Sequence, residues 1–128
     1  MRRNGLPRAL RLVRRPDFLA CYERGRRYHS AHFVIFVLAR AQGESRVGMA
    51  VSRKAGHAAA RNRLKRLLRE FYRLHREALP VDADIVTVAK KQAGEAGLNL
   101  RAVAAELLPP LRRAALMGRT LAAEGGAA

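Results

Sequence analysis

Apolar residues recur every three or four positions between Ala58 and Leu79, which is the spacing of one helix face. The apolar stripe consists of Leu64, Leu67, Leu68, Phe71, His75 and Ala78. A second stripe is basic and consists of Arg61, Lys65, Arg69, Arg73 and Arg76, widened by Arg63 and Arg66. We therefore predict one long helix that packs an apolar face on a core and carries a separate basic face.

The basic stripe needs an explanation, because like charges three and four positions apart on a helix repel each other. Glu70 is the only acidic residue of this segment before Glu77. A solvated face is the usual explanation of a basic run. Here the density of arginine and the scarcity of acids favour a contact with nucleic-acid phosphates.

A first helix is predicted between Pro16 and Gly25, since proline suits a helix start and glycine a helix end. It places Phe18 and Tyr22 one turn apart on the same face. Aromatic residues at this spacing usually belong to the core, and this segment alone favours that interpretation. The functional alternative is a stacking surface for bases.

Strands are predicted at residues 26–31, 32–39, 46–53 and 82–91. The second is apolar on both faces, as in a central strand covered on both sides. The third has an apolar face and a face of Gly48, Ala50 and Ser52 with almost no side chain. Such a face forms either a groove for a single strand or a seat for a closely packed helix, and both interpretations stay open.

A last helix is predicted after Asn99, which suits an N-cap, and Pro109–Pro110 should interrupt or kink it. Leu111–Leu116 would then resume it. The predicted order is helix, three strands, helix, strand, helix, which describes a single α/β sandwich. The general rule predicts a right-handed crossover for the strand–helix–strand unit.

The composition of the chain indicates what kind of partner it binds. The chain has 128 residues, enough for one domain with a real core, and 26 Lys and Arg against 10 Asp and Glu give it a net charge of +16. Such a surplus predicts a polyanionic partner. A membrane surface is the other candidate, but no apolar segment is long enough to span a bilayer.

Cys21 is the only cysteine, which excludes an intramolecular disulfide or multi-cysteine zinc site and indicates a reducing compartment. The first residues are Arg-rich and lack the continuous apolar region of a secretory signal. We expect residues 1–15 to be a basic arm on a cytoplasmic protein.

The segment VGMAVSRKAGHAAARNRLKRLLREFY, residues 47–72, strongly resembles the protein subunit of bacterial ribonuclease P. It joins a small-residue strand, a basic glycine loop and an Arg61–Asn62–Arg63 helix. The DF and Y-ERG elements of the first helix and the FVIFVL and DIVTVAKK strands extend the resemblance over roughly Pro16 to Leu116. An Arg-Asn-Arg motif alone would be weak evidence for the resemblance, but this ordered set of motifs is specific to the family.

The resemblance implies a two-layer α/β (α+β) sandwich of a four-stranded sheet with flanking helices and an unusual left-handed crossover. The domain would span residues 16–117, followed by a flexible tail at 118–128. The family's RNA subunit removes the 5′ leader of precursor tRNA with magnesium ions. The protein would therefore be part of an endoribonuclease without being its catalyst. One protein would serve each RNA, with no membrane partner and no protein-only metal site.

The resemblance also assigns two sets of residues and no catalytic ones. The contacts to the catalytic RNA would be Arg53, Lys54, Arg61, Asn62, Arg63, Lys65, Arg66 and Arg69. The contacts to the leader of precursor tRNA, in a cleft between the first helix and the sheet, would be Phe18, Tyr22, Phe36, Ser52 and Lys90. This favours leader contact over core for Phe18 and Tyr22, and the groove over helix packing. The chain departs from the family at His57, where asparagine is common, and at the two alanines before Arg61.

Three other functions fit part of the pattern. A ribosomal protein would share the charge and fold. A self-sufficient nuclease needs clustered carboxylates, for which Asp82 and Asp84 on a turn are the closest pair, and His29 and His32 should point to opposite faces. A DNA-binding protein with a recognition helix is compatible with the basic helix, but nothing resembles a helix-turn-helix pair.

Overall fold

The computed structural model of the protein describes residue 7, residues 10–41 and residues 43–127, with side chains described up to residue 117. Within these residues the chain forms helices α1 (Arg15–Arg24), α2 (Ala58–Leu74) and α3 (Leu100–Ala127), and strands β1 (Arg26–His29), β2 (Phe33–Ala39), β3 (Arg46–Ala50) and β4 (Ala83–Ala89). Short 3-10 turns lie at Arg53–Ala55, Arg76–Ala78 and Ala93–Glu95. The predicted order of helices and strands is confirmed.

The four strands form one mixed sheet in the order β1-β2-β4-β3. Strands β1, β2 and β4 pair antiparallel, whereas β3 and β4 pair parallel and are connected through α2. The predicted α/β sandwich is therefore confirmed. The left-handed sense of the β3–α2–β4 crossover stays a prediction.

Successive side chains of a strand point to opposite sides, so the sheet has two faces with different coverings. On the first, Phe33, Ile35 and Ile85 pack against α2 and α3, and we call this the closed face. On the second, Val86 packs against α1 together with Leu12 and Cys21, and we call this the cleft face. Helices α2 and α3 form a layer on the closed face, and α1 adds a smaller layer on the other side.

Helix α2 buries its apolar stripe on the closed face, as its periodicity predicts. Leu64, Leu68 and Phe71 are buried. Tyr72 is also completely buried, although it lies beside the predicted stripe, because its hydroxyl finds a partner in the Thr87 side chain. Burial raises the pKa of Tyr72.

The ends of α2 are set by two histidines. The Nδ1 atom of His57 accepts a hydrogen bond from the Ala60 N–H at 3.2 Å and caps the N-terminus. The helix ends at Leu74 instead of continuing to Leu79, since His75 leaves the helical conformation while its ring packs on Phe71 at 4.8 Å between centroids.

Part of the predicted basic arm is packed on the domain. Leu10 and Leu12 are buried, and the Leu12 N–H donates to the Val47 carbonyl oxygen at 2.7 Å. Two apolar residues among arginines give no periodic signal in the sequence, and the bound of the arm at residue 15 stays a prediction. Residues 1–6, 8 and 9 of the arm lie outside the described residues.

Helix α3 passes through Pro109 and Pro110 without the break that these residues predict. Leu107 and Leu111 are fully buried on either side of the pair, so packing on the closed face holds the helix together. The predicted cap is confirmed, since Asn99 Oδ1 accepts from the Ala102 N–H at 2.8 Å. The bounds of α3 include residues 118–127, and a flexible tail there stays a prediction.

Candidate nucleic-acid interfaces

The basic face of α2 is at the surface of the molecule. Asn62, Arg63, Arg66 and Arg69 are exposed, while Arg61 and Lys65 are half-buried. Among the described residues, Arg73 is the α2 cation that forms an ion pair, with Glu70 at 2.5 Å. The hydrogen bond from Arg73 lowers the pKa of Glu70. The positive charges nearer the helix start therefore remain available to an anion.

Arg63 is tied to the fold by a hydrogen bond, whereas Arg61 is half-buried without one at its Nε. The Arg63 guanidinium donates to the Leu98 carbonyl oxygen at 2.9 Å, which ties it to the segment before α3. Arg61 has a buried Nε with no hydrogen-bond partner among the described residues. Side chains that are restrained before binding lose less entropy when they contact a ligand.

The turn before α2 presents two further cations. Ser52 Oγ accepts from the Lys54 N–H at 3.3 Å, and the Lys54 carbonyl oxygen accepts from the Gln92 N–H at 2.7 Å. Gly56 has a φ of 148°, which side-chain-bearing residues rarely adopt. The turn is thus fixed with Arg53 and Lys54 exposed beside the positive end of the α2 dipole.

On the cleft face, α1 sits directly on the small residues of β3. A Cβ atom on Gly48 would lie 2.7 Å from Phe18 Cζ, so only glycine lets this ring approach. Close helix packing therefore occurs at Gly48, as one of the two open interpretations of this strand required. Ala50 is half-buried and Ser52 is exposed, so the small-residue face continues past Phe18.

Tyr22 and Phe36 form an aromatic edge beside Phe18. Their rings meet in a T-shaped arrangement at 5.1 Å between centroids. The Arg27 guanidinium carbon lies 5.5 Å from the Phe36 ring centroid, because Arg27 pairs directly with Phe36 in the β1–β2 ladder. Arg27 was missed in the sequence, where its role depends on a strand pairing that no local pattern reveals.

Beyond α1 the cleft face has an open apolar floor. The strand register puts Val34 beside Val88, and Val88 beside Ala50, and all three are half-buried. Lys90 follows β4 at the end of this floor, and its Nζ donates to the Ser30 carbonyl oxygen at 2.6 Å. A surface with an apolar floor, partly exposed aromatic edges and cations at its rim suits an unpaired nucleic-acid strand.

The acidic residues near the sheet serve the fold. Asp84, which was predicted to lie on a turn, lies in β4 instead, where it is buried and receives two hydrogen bonds from Arg46 at 2.8 and 2.7 Å. Asp82 has a positive φ of 50° in the turn before β4. The described residues hold no group of three or more His, Cys, Asp or Glu side chains that could bind a metal ion.

Over the residues that the structure describes, no helix is both long and apolar enough to cross a bilayer.

Comparison with known proteins identifies the family of this chain. A sequence model of the family described as Ribonuclease P matches residues 6–114. A ribonuclease P protein component of Desulfovibrio desulfuricans is 70% identical over 117 residues, which cover 90% of each chain. One from Oleidesulfovibrio alaskensis is 49% identical over 110 residues, covering 84% of this chain and 87% of the relative.

The fold agrees as well. The solved structure of the RNase P protein from Thermotoga maritima matches with a TM-score of 0.72 at 34% identity, covering 80% of this chain and 96% of that one. The family match spans most of the chain, and the relatives are aligned over nearly their whole length. The chain therefore belongs to the Ribonuclease P protein family.

Proposed function

We propose that this chain, as the protein component of ribonuclease P, binds the catalytic RNA through α2 and the 5′ leader of precursor tRNA through the cleft face. Family membership gives the chain its role in tRNA 5′ processing, within a ribonucleoprotein endonuclease. The observation that carries the division of labour is that the basic surface and the aromatic cleft are separate, with the sheet between them.

The contact to the catalytic RNA is electrostatic. Exposed and half-buried cations line up along the first turns of α2 and the preceding 3-10 turn, and they lack carboxylate partners among the described residues. They are Arg53, Lys54, Arg61, Arg63, Lys65, Arg66 and Arg69, with Asn62 between them as a hydrogen-bonding group. Phosphates of a folded RNA would replace the counterions of this surface, so binding should weaken steeply with salt.

The contact to the leader combines stacking with charge. Phe18, Tyr22 and Phe36 offer aromatic edges, Ser52 a hydroxyl, and Lys90 a cation next to the open floor. Arg27 belongs to the same edge through its contact with Phe36. Because stacking and phosphate contacts ignore base identity, such a cleft accepts leaders of many sequences.

Hydrolysis itself belongs to the RNA subunit in this proposal, and magnesium ions bound with that RNA supply the chemistry. The side chains of this protein bind and orient: α2 fixes the protein on the RNA, and the cleft aligns the leader so that the scissile phosphate reaches the RNA active site. Asp84 is neutralised by Arg46 and takes no part. One protein molecule per RNA, acting in the cytoplasm, completes the proposal.

The test is cleavage of a precursor tRNA at low magnesium by the protein alone, a bacterial ribonuclease P RNA alone, and both together. We expect cleavage at the mature 5′ end in the combined sample only. Cleavage by the protein alone would make it a nuclease. If the RNA is active at high magnesium but the protein never stimulates it, the proposal fails and binding to ribosomal RNA becomes the next function to test.

A further inference from the structure

A single carboxylate of α3 holds the turn that joins β1 to β2. Glu106 Oε1 accepts from the Ser30 hydroxyl at 2.7 Å and from the His32 N–H at 2.8 Å. Glu106 Oε2 lies 2.5 Å from His32 Nδ1. Burial alone would raise the pKa of Glu106, but the hydrogen bonds from His32 and Ser30 lower it. The carboxylate is therefore ionised, and it fixes both ends of the turn.

The same turn holds Lys90 from the other side. The Lys90 ammonium donates to the Ser30 carbonyl oxygen at 2.6 Å, and the Lys90 N–H donates to the His32 carbonyl oxygen at 2.9 Å. No ion pair of Lys90 is found among the described residues. A carbonyl oxygen orients the ammonium without neutralising it, so its positive charge stays available at the end of the cleft floor.

We infer that Glu106 is a positioning residue for Lys90, acting through the Ser30–His32 turn. Helix α3 packs on the closed face, whereas Lys90 follows the cleft-face positions of β4, so the turn connects the two sides of the sheet at its end. The inference rests on the proposed function, because it gives Lys90 the task of meeting a leader phosphate.

The physical basis is preorganisation. A free lysine side chain loses much of its rotamer freedom when it binds a phosphate, and a side chain that is already held loses less. A turn without Glu106 would keep its backbone ladder but lose the three bonds that fix Ser30 and His32. Lys90 would then search more conformations before it reached the leader.

The experiment is a double-mutant cycle of Glu106→Ala and Lys90→Ala, reading the affinity of the protein–RNA holoenzyme for leader-bearing precursor tRNA and for mature tRNA. We expect each single variant to weaken precursor binding about 3- to 10-fold, with little change for mature tRNA. In the Lys90→Ala background, Glu106→Ala should then cause no further loss. Glu106→Gln should restore most of the affinity, since the amide oxygen can still accept from Ser30 and from the His32 N–H.

Glu77→Gln is the matched control for Glu106→Gln. Both remove one negative charge, but Glu77 is exposed in the Arg76–Ala78 turn at the opposite end of the sheet. We expect no change in precursor binding for this control. Thermal unfolding of each variant identifies the temperature range in which all of them are folded, and affinities are compared there.

Each other outcome has one meaning. If Lys90→Ala weakens precursor binding but Glu106→Ala does not, or if their effects simply add, Glu106 does not position Lys90. The proposed binding of the leader in the cleft would be unaffected by that result. Equal losses for precursor and mature tRNA in the Glu106 variants would reduce the residue to a support of the fold. If Lys90, Phe18 and Tyr22 can all be replaced without leader-specific loss, the proposed cleft itself fails.

Discussion

The closed face and the cleft face of the sheet divide the work of the protein differently. The closed face buries the largest side chains under two helices, and the basic residues of α2 point away from it. The cleft face has one short helix over part of it, and Phe18, Tyr22 and Phe36 are only partly buried there. Under the proposed function, packing and binding therefore use different residues of α2 on the closed side, whereas on the cleft side the same aromatics would serve both.

This difference determines how the effect of a mutation on binding can be interpreted. Replacing an α2 arginine removes charge without opening the core, so a change in binding can be assigned to the interface. Replacing a cleft aromatic removes packing as well as a ligand contact. Its binding role is visible only by comparing a ligand that has a leader with one that lacks it.

The largest effect is expected on the closed face. Leu68 is completely buried there, so Leu68→Ala should lower the free energy of unfolding by about 2–5 kcal/mol, through lost burial and the cavity left behind. Val34→Ala on the half-buried cleft floor should cost less, because solvent or neighbouring side chains can fill the space. Urea denaturation of both variants measures the difference. Equal losses would show that the two faces contribute alike to stability.

The pH dependence of stability that comes from the Cys21 thiol tests how well α1 keeps solvent away from its part of the cleft face. Burial, with the negative charges of Asp84 and Asp17, raises the pKa of its thiol from 9.0 to about 11. A raised pKa in the folded state favours folding below pH 9, and this contribution disappears as the pH rises through 11. The free energy of unfolding should fall over that range by at most roughly 3 kcal/mol.

The control for this pH dependence is Cys21→Ala, since other groups also titrate at high pH. We expect the wild-type and variant stabilities, measured by urea denaturation from pH 7 to pH 11, to converge or cross as the pH rises. Parallel curves would mean that α1 opens readily and leaves the thiol in solvent.

Leader stacking should be the next largest effect. Tyr22→Ala removes one ring of the T-shaped pair with Phe36 and should weaken binding of leader-bearing precursor tRNA by roughly 1–3 kcal/mol. Mature tRNA should bind almost unchanged. Leu19→Ala, an exposed apolar residue of the same helix, is the control. Equal losses for precursor and mature tRNA in Tyr22→Ala would assign the ring to packing alone.

Substitution of Gly48 tests whether the position of α1 determines the shape of the cleft. Gly48→Ala would place a Cβ atom 2.7 Å from Phe18 Cζ, so the ring and its helix must shift. Overpacking of this kind costs about 1–3 kcal/mol of folding free energy. Precursor binding should weaken as well, because Phe18 moves with α1. An Ala variant with unchanged stability and unchanged precursor binding would show that α1 adjusts freely over the strand.

The helices and strands could be predicted from local sequence patterns, but the contacts between them could not. Helical spacing was enough to predict α2. Strand alternation was enough to place Phe36 on the side of the sheet opposite the closed face. The small-residue face of β3 left two interpretations open in the sequence, and the close approach of Phe18 shows helix packing at Gly48, one end of that face. Arg27 and Asp84 acquire their partners through pairing between strands, which depends on the whole sheet. No periodic pattern marks Leu12 among the arginines of the sequence; a single backbone bridge between Arg11 and Val47 holds this segment beside β3.

The smallest effect in free energy should be the most diagnostic for the α2 face. Arg61→Ala or Arg66→Ala should each reduce the slope of log affinity against log salt for the catalytic RNA by up to about one unit, since each removes one phosphate contact. Arg112→Ala, an exposed arginine of α3, carries the same change of net charge and should leave the slope as it is. Equal slope changes in all three variants would mean that the RNA senses only the overall charge. Unchanged slopes for Arg61→Ala and Arg66→Ala would remove α2 from the interface. A change confined to the α2 variants, with leader discrimination intact, would instead separate the two binding surfaces: one reads a folded RNA by charge, and the other reads an unpaired strand by stacking.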